Sequence, residues 1–174
     1  MSVRHLWIVR HAEATRDQSN LTEAGRRQAD LLGARLAGLP ITAISHSPKP
    51  RAVKTAALVA AHLPEAAVKE AAELNDRIPT DDLPAMSAMI ARFTGPVPEE
   101  THELVVTHNF QAGWFVREAY LAPPERFGVL NFGNTGLTLI RYPAGEPPRV
   151  IMVGDLSHLP ADLRWTGLPP DLRP

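Results

Sequence analysis

The chain has 174 residues, of which 44% are hydrophobic and 21% charged, so it is long enough and apolar enough for one globular domain with a core. The 18 basic and 19 acidic residues leave a net charge of −1, which argues against a polyanionic partner such as nucleic acid. There is no cysteine, so we predict neither disulfides nor thiolate chemistry. The N-terminus has no signal-peptide pattern and no apolar run is long enough to span a membrane, so we predict a cytoplasmic protein without a membrane partner.

The first predicted strand covers residues 5–10 and carries the most informative pattern. Its apolar residues 6–9 run without alternation, as in a strand buried on both faces, and the run stops at Arg10 and His11. Ligands of open α/β sheets bind outside the carboxyl ends of the strands, so this pair lies where such folds place chemistry. The same dipeptide occurs at the strand entry, Arg4-His5, where we interpret it as ordinary solvated surface.

Further strands and helices alternate along the chain. Strand patterns lie at about residues 41–45, 68–70, 103–107, 137–141 and 150–153. Helical patterns lie at about residues 23–36, 49–62, 83–93 and 110–121. This alternation predicts an α/β fold, a three-layer sandwich with a mainly parallel central sheet and helices on both faces. We expect a single domain over residues 1–174, with a Pro-rich tail from about residue 155.

Three of these strands end in groups that bind anions. The first ends in Arg10-His11, the strand at 41–45 leads to Arg51 in the first turn of a helix, and the strand at 103–107 ends in His108. Strand ends of a parallel sheet meet at one edge, and arginines with helix N-termini there favour a tetrahedral oxyanion. The histidines show no HxH or HxxxH spacing, so we predict no metal site and no cofactor.

The motifs that carry these residues match a known family. VRHAEA, SPKPRAVKTA and VTHNF occur in that order, followed by NTGLTLIRY. The chain resembles the histidine phosphatase superfamily, the phosphoglycerate-mutase-like enzymes, over most of its length. The resemblance implies that His11 is phosphorylated during turnover, and that Arg10, Arg51 and His108 bind the transferred phosphoryl group, His108 as part of the catalytic set.

A general acid is also needed to protonate the leaving oxygen. The family commonly keeps a Glu in the loop after the third strand, two residues after a leucine. Here Asp76 takes that position after Leu74, with a reach shorter by one methylene group. Glu73 and Asp81 are the alternatives.

Two further departures from the family pattern affect the site. Ala12 replaces the usual glycine of the first motif, which requires that the backbone there has no positive φ. Asn109 replaces the usual glycine after the second histidine, and its amide is a candidate phosphate-binding group.

These features predict a metal-independent phosphomonoester hydrolase with a phosphohistidine intermediate on His11. The partner would be a small phosphorylated metabolite or a phosphoprotein, and the sequence does not indicate an oligomeric state. Three alternatives stay open: a protein phosphohistidine phosphatase, a phosphoglycerate-mutase-type phosphotransferase, and a phosphate-binding module without turnover. The short spacing between His11 and Arg51 favours an open site and hydrolysis.

Overall fold

The computed structural model describes residues 2–174, and within them the chain forms one six-stranded sheet with helices packed against it. The strands are β1 (Val3–Arg10), β2 (Ala43–His46), β3 (Ala67–Glu70), β4 (Thr101–Thr107), β5 (Leu137–Pro143) and β6 (Arg149–Asp155). The α-helices are α1 (Glu23–Leu36), α2 (Pro50–Ala60), α3 (Leu83–Thr94) and α4 (Asn109–Ala119). Short 3-10 turns lie between them, among them Ala72–Leu74, Pro79–Asp81 and Pro124–Val129.

The sheet has the order β3-β2-β4-β1-β5-β6 and is mixed. The first four strands in this order are parallel to one another, whereas β5 runs antiparallel to β1, and β6 runs antiparallel to β5. The reason lies in residues 120–136, which follow α4 and return the chain to the carboxyl edge of β1. There the Thr135 N–H donates to the Arg10 carbonyl at 3.0 Å. Strand β5 therefore starts where β1 ends and runs back beside it.

Apolar side chains fill both faces of the sheet, as the uninterrupted run of β1 predicts. Leu6 and Ile8 join one buried cluster with residues of α3 and α4. Trp7 and Val9 join the other with residues of α1 and α2. The α/β sandwich with helices on both faces is thus confirmed.

The interpretation of Arg4-His5 as solvated surface is wrong. The Arg4 guanidinium pairs with Glu103 at 3.2 Å, and its Nη1 also donates to the Phe93 carbonyl. His5 is buried and stacks on His102, with ring centroids 4.0 Å apart. Parallel pairing of β1 with β4 sets these residues side by side, a contact that no local pattern reveals.

The segment after β6 packs on the body of the protein although it contains several prolines. Leu156, Leu159 and Leu163 are buried and form a small cluster with Trp165 and residues of α1. Among the described residues, no helix is both long and apolar enough to cross a membrane.

Candidate active site

Hydrogen bonds between neighbouring strand ends bring the three sequence motifs together. The His11 N–H donates to the Thr107 carbonyl at 2.9 Å, which joins the ends of β1 and β4. The Ser47 N–H donates to the Val106 carbonyl at 3.0 Å, which joins β2 to β4. As a result the rings of His11 and His108 lie edge to face, with centroids 5.2 Å apart.

His11 is held as a neutral imidazole whose Nε2 faces the site. Its Nδ1 lies 2.8 Å from the Ala12 carbonyl, which can only accept a hydrogen bond, so Nδ1 carries the proton. Nε2 then has a free lone pair, which accepts a hydrogen bond from Arg51 Nε at 3.1 Å. Burial lowers the pKa of His11 to about 3, with the charges of Arg10 and Arg51 acting in the same direction against the Ala12 hydrogen bond.

Arg51 connects the candidate nucleophile to the candidate acid. It lies in the first turn of α2, directly after Pro50, and its side chain is almost fully buried. Its Nη2 donates to Asp76 Oδ2 at 2.6 Å and lies 3.3 Å from His108 Nδ1. A guanidinium in this position presents several N–H donors to one small volume, which suits the oxygens of a phosphoryl group.

Thr55 fixes Arg51 relative to the loop after β1. Its hydroxyl donates to the Arg51 carbonyl at 2.7 Å and accepts from the Ala12 N–H at 3.0 Å. Ala12 itself is fully buried and does not take a positive φ, so the condition for replacing glycine is met. Thr55 lies within the SPKPRAVKTA motif, but the residue pattern alone does not indicate this role.

Arg10 is oriented by the segment that precedes β5. Its Nη1 donates to the Phe132 carbonyl at 2.6 Å, and burial lowers the pKa of its guanidinium.

Asn109 binds the backbone of the same segment. Its Oδ1 accepts from the Phe132 N–H at 2.8 Å, and its Nδ2 donates to the Leu130 carbonyl. The Asn109 amide is therefore engaged with backbone, which differs from the predicted contact with phosphate. Asn134 acts similarly on His11, donating to its carbonyl at 2.9 Å.

His108 is buried at the other side of the pocket. Its Nε2 lies 2.7 Å from the Ser47 hydroxyl, and its Nδ1 faces Arg51 and Asp76. Burial, with the neighbouring His11 and Arg51 acting in the same direction, lowers the pKa of His108 to about 2. His108 is thus a neutral donor or acceptor at the edge of a cationic pocket.

Of the three candidate acids, Asp76 is the one placed at the site. Its Oδ2 contacts Arg51 and lies 3.8 Å from His108 Nδ1, while 40% of its side chain stays exposed. Glu73 instead pairs with Arg92 at 2.6 Å, and that ion pair lowers the pKa of its carboxyl group. Asp81 is exposed in the turn Pro79–Asp81.

A histidine cluster at the opposite edge of the sheet has the composition of a metal site. His5, Glu100 and His102 bring three ligand atoms within 4.8 Å, although their sequence spacing gave no such signal. The Trp7 indole N–H, which can only donate, points at His102 Nδ1 from 3.4 Å. His102 therefore carries its proton on Nε2, the atom that faces Glu100, and His5 Nδ1 has no hydrogen-bond partner within residues 2–174. Metal-bound histidines have the reverse arrangement, so these residues do not fit a metal ion.

The buried histidines make the free energy of unfolding depend on pH. Because the pKa values of His11 and His108 are lowered in the folded protein, the unfolded chain binds more protons below pH 6.5. This contribution to the free energy of unfolding is fully present above pH 6.5. It is lost as pH falls toward the pKa values of the two histidines in the folded protein, by at most about 1.4 kcal/mol per pH unit for each histidine.

We expect the urea concentration at the unfolding midpoint to be lower at pH 5 than at pH 7. A His11→Asn/His108→Asn double variant should show a shallower fall, and an equal slope would contradict this origin.

Comparison with known proteins agrees with this geometry. The sequence profile of the histidine phosphatase superfamily (branch 1) matches residues 6–79. The mitochondrial serine/threonine-protein phosphatase Pgam5 of Caenorhabditis briggsae is 31% identical over 183 residues, which cover 90% of this chain and 64% of that relative. The chain therefore spans less than two thirds of the relative's length.

Solved structures share the fold. A phosphoglycerate mutase from Plasmodium falciparum superposes with a TM-score of 0.71 at 23% identity, covering 92% of this chain and 96% of that one. A phosphoserine phosphatase variant from Entamoeba histolytica, in complex with phosphoserine, gives 0.69 at 15% identity, covering 90% and 99%. At these identities the likeness establishes the architecture, and the reaction has to be argued from the site.

Proposed function

We propose that this chain, whose residues 6–79 match the histidine phosphatase superfamily, is a metal-independent phosphomonoester hydrolase whose nucleophile is His11. One observation carries this proposal: the unprotonated His11 Nε2 faces a pocket lined by Arg51, His108 and Asp76, and its lone pair accepts a hydrogen bond from Arg51 Nε. A nucleophile, cationic donors and a carboxyl group thus surround a volume in which a phosphoryl group can lie.

In the first half-reaction, His11 Nε2 forms a bond to phosphorus as the bond from phosphorus to the leaving oxygen breaks. Arg10 and Arg51 stabilise the charge on the transferring oxygens, which is the main requirement of phosphoryl transfer. These oxygens compete with Asp76 for the Arg51 N–H groups. The released carboxylate takes up a proton from solvent and gives it to the leaving oxygen. The Ala12 carbonyl stabilises the positive charge that develops on the His11 ring.

In the second half-reaction, water attacks the phosphorus atom and the P–N bond breaks. Asp76 now accepts a proton from the attacking water, so the acid of the first step is the base of the second. The products are the alcohol and inorganic phosphate, and His11 returns to its neutral form. The partial exposure of Asp76 gives water access to this position, which favours hydrolysis over retention of the phosphoryl group by a mutase.

The chemistry admits a phosphorylated metabolite or a phosphoprotein as substrate. The name of the Caenorhabditis relative, a serine/threonine-protein phosphatase, favours a protein substrate as the second candidate. Rates on small phosphomonoesters, on phosphoserine peptides and on a phosphohistidine protein would separate these classes. That relative is mitochondrial by name, and the cytoplasmic location of this chain stays a prediction.

The proposal is tested by hydrolysis of a chromogenic aryl phosphate. We expect turnover that is unchanged by EDTA, because two arginines supply the charge that a metal ion would otherwise supply. Orthovanadate should inhibit, since it mimics the five-coordinate transferring group. No turnover of any phosphomonoester, with vanadate still bound, would instead support a binding module. A rate that collapses with EDTA and returns with a divalent ion would contradict the mechanism.

The assignment of the acid is tested by its dependence on the leaving group. Asp76→Asn should reduce turnover of an alkyl phosphate far more than that of an aryl phosphate, because a phenolate leaves with little protonation. Glu73→Gln is the matched control, since Glu73 is paired with Arg92. If the leaving-group dependence occurs in Glu73→Gln and not in Asp76→Asn, Glu73 is the acid. If it occurs in neither, Asp81 is the next candidate.

A further inference from the structure

The Ser47 hydroxyl contacts His108 at Nε2, the ring nitrogen that does not face Arg51, and the mechanism above gives Ser47 no role. Ser47 follows the last residue of β2 and is completely buried. Its Oγ lies 2.7 Å from His108 Nε2, the ring nitrogen that faces away from the phosphoryl position. The backbone N–H of Ser47 is bonded to the Val106 carbonyl, so the residue is fixed to the strand that carries His108.

The hydrogen bonds of this hydroxyl leave its proton available to His108. A serine hydroxyl has one hydrogen and two lone pairs. The Lys49 N–H donates to one lone pair of Ser47 Oγ at 3.2 Å. His108 Nε2 is the remaining polar neighbour of the oxygen in the described part of the chain. The hydroxyl can therefore rotate either to donate to Nε2 or to accept from it.

The opposite nitrogen of His108 determines which orientation is used. Arg51 Nη2, a donor, lies 3.3 Å from Nδ1, while Asp76 Oδ2, an acceptor, lies at 3.8 Å. These two neighbours suit a proton on either nitrogen. An unprotonated phosphoryl oxygen can only accept, so when it meets Nδ1, a neutral His108 contributes a hydrogen bond only if its proton is on Nδ1. Nε2 then needs a donor, and Ser47 is the neighbour that can provide one.

We propose that Ser47 is a positioning residue that keeps neutral His108 in the Nδ1–H tautomer when a phosphoryl group is bound. The inference rests on the proposed phosphatase reaction, because it assumes that His108 Nδ1 meets a phosphoryl oxygen. The buried, cationic surroundings that keep His108 neutral make the choice of tautomer necessary, since an imidazolium would carry both protons without help from Ser47.

The direct test is the protonation of His108 measured by two-bond 15N–1H NMR on the protein saturated with orthovanadate. A His108→Gln spectrum assigns the signals. We expect a pyrrole-like Nδ1 and a pyridine-like Nε2 in the wild type, and a proton on Nε2 in a substantial fraction of Ser47→Ala. A proton on Nε2 of the wild-type complex, in the neutral ring or in an imidazolium, would overturn the proposal. Because this result needs the wild type alone, it holds even if Ser47→Ala folds poorly.

A kinetic readout separates tautomer control from a packing effect. We expect Ser47→Ala to lose about 10- to 100-fold in kcat/KM for an aryl phosphate at pH 8, the range expected for one buried hydrogen bond to a charged complex. The deficit should stay the same between about pH 6 and pH 9, because burial and the neighbouring charges keep His108 neutral over that range. Thr138→Val is the matched control: it removes a buried hydroxyl whose hydrogen bond is to the Gly154 N–H and to no residue of the site.

The outcomes of this comparison are distinct. A Ser47→Ala deficit that Thr138→Val reproduces would overturn the role of Ser47. If the wild type hydrolyses phosphomonoesters while its vanadate complex carries the proton on Nε2, the tautomer assignment fails and the phosphatase proposal stands. A wild type without turnover would instead count against the phosphatase proposal and against Ser47 together.

Discussion

Substitution of His11 by alanine is expected to reduce turnover of every phosphomonoester by at least about 10⁴-fold, because the reaction loses its covalent intermediate. The remaining pocket would still bind phosphate through Arg10 and Arg51. The fold should survive, since His11 lies at the tip of β1 and outside the apolar clusters on both faces of the sheet. Steady-state rates on an aryl phosphate, with circular dichroism to verify folding, measure the effect.

The chain provides its own control for this substitution. Arg4-His5 repeats the dipeptide Arg10-His11 at the opposite end of the same strand, where His5 pairs with Glu100 at 2.9 Å. His5→Ala should lower the free energy of unfolding and leave kcat/KM within a few-fold of the wild type. Equal losses of turnover in the two variants would mean that the effect of His11→Ala is one of folding, and wild-type turnover in His11→Ala would refute the assignment.

Replacement of Arg51 is the second change with a large expected effect. Arg51→Ala removes the guanidinium that contacts both His11 Nε2 and Asp76 Oδ2. Arginines that stabilise a transferring phosphoryl group contribute about 10³- to 10⁵-fold in kcat, and we expect a loss in that range. Arg51→Lys should recover little, because an ammonium group keeps the charge but cannot bridge the two partners with a planar fork.

The same measurement on Arg92→Lys gives a matched comparison. Arg92 also pairs with a carboxylate at 2.6 Å, that of Glu73, but the pair is solvent-exposed and away from His11. An exposed ion pair contributes at most about 1 kcal/mol, so turnover should change little. If Arg51→Lys were as active as the wild type, the bridging role of the guanidinium would be wrong.

The sequence predicted the parts of the site that lie at strand ends. Four apolar residues followed by Arg10 and His11 indicated both a buried strand and the edge at which chemistry occurs. The order of motifs then placed Arg51 and His108 at neighbouring strand ends, and the strand-to-strand hydrogen bonds agree with that placement. Their catalytic roles remain proposals that the experiments above test.

The contacts that the sequence did not reveal are those between distant segments. The sequence makes Asn109 a candidate phosphate-binding group because it places a polar amide after His108. The partners of that amide instead lie at residues 130–132, which reach the site only through the antiparallel return of β5. The pairing of His5 with His102 depends in the same way on the register of β1 with β4. Local periodicity carries no information about register or strand order, so side-chain partners set by them have to be read from the structure.

In the proposed mechanism the phosphoryl group passes through a covalent bond to His11, and rapid-quench kinetics with a ³²P-labelled phosphomonoester detects that bond. We expect labelled protein within the first turnover. Its label should be lost in acid and kept in base, as in a phosphohistidine. The label should be absent from His11→Ala and present in His5→Ala. A labelled species that resists acid, or an equal amount of label in His11→Ala, would contradict a phosphohistidine intermediate at His11.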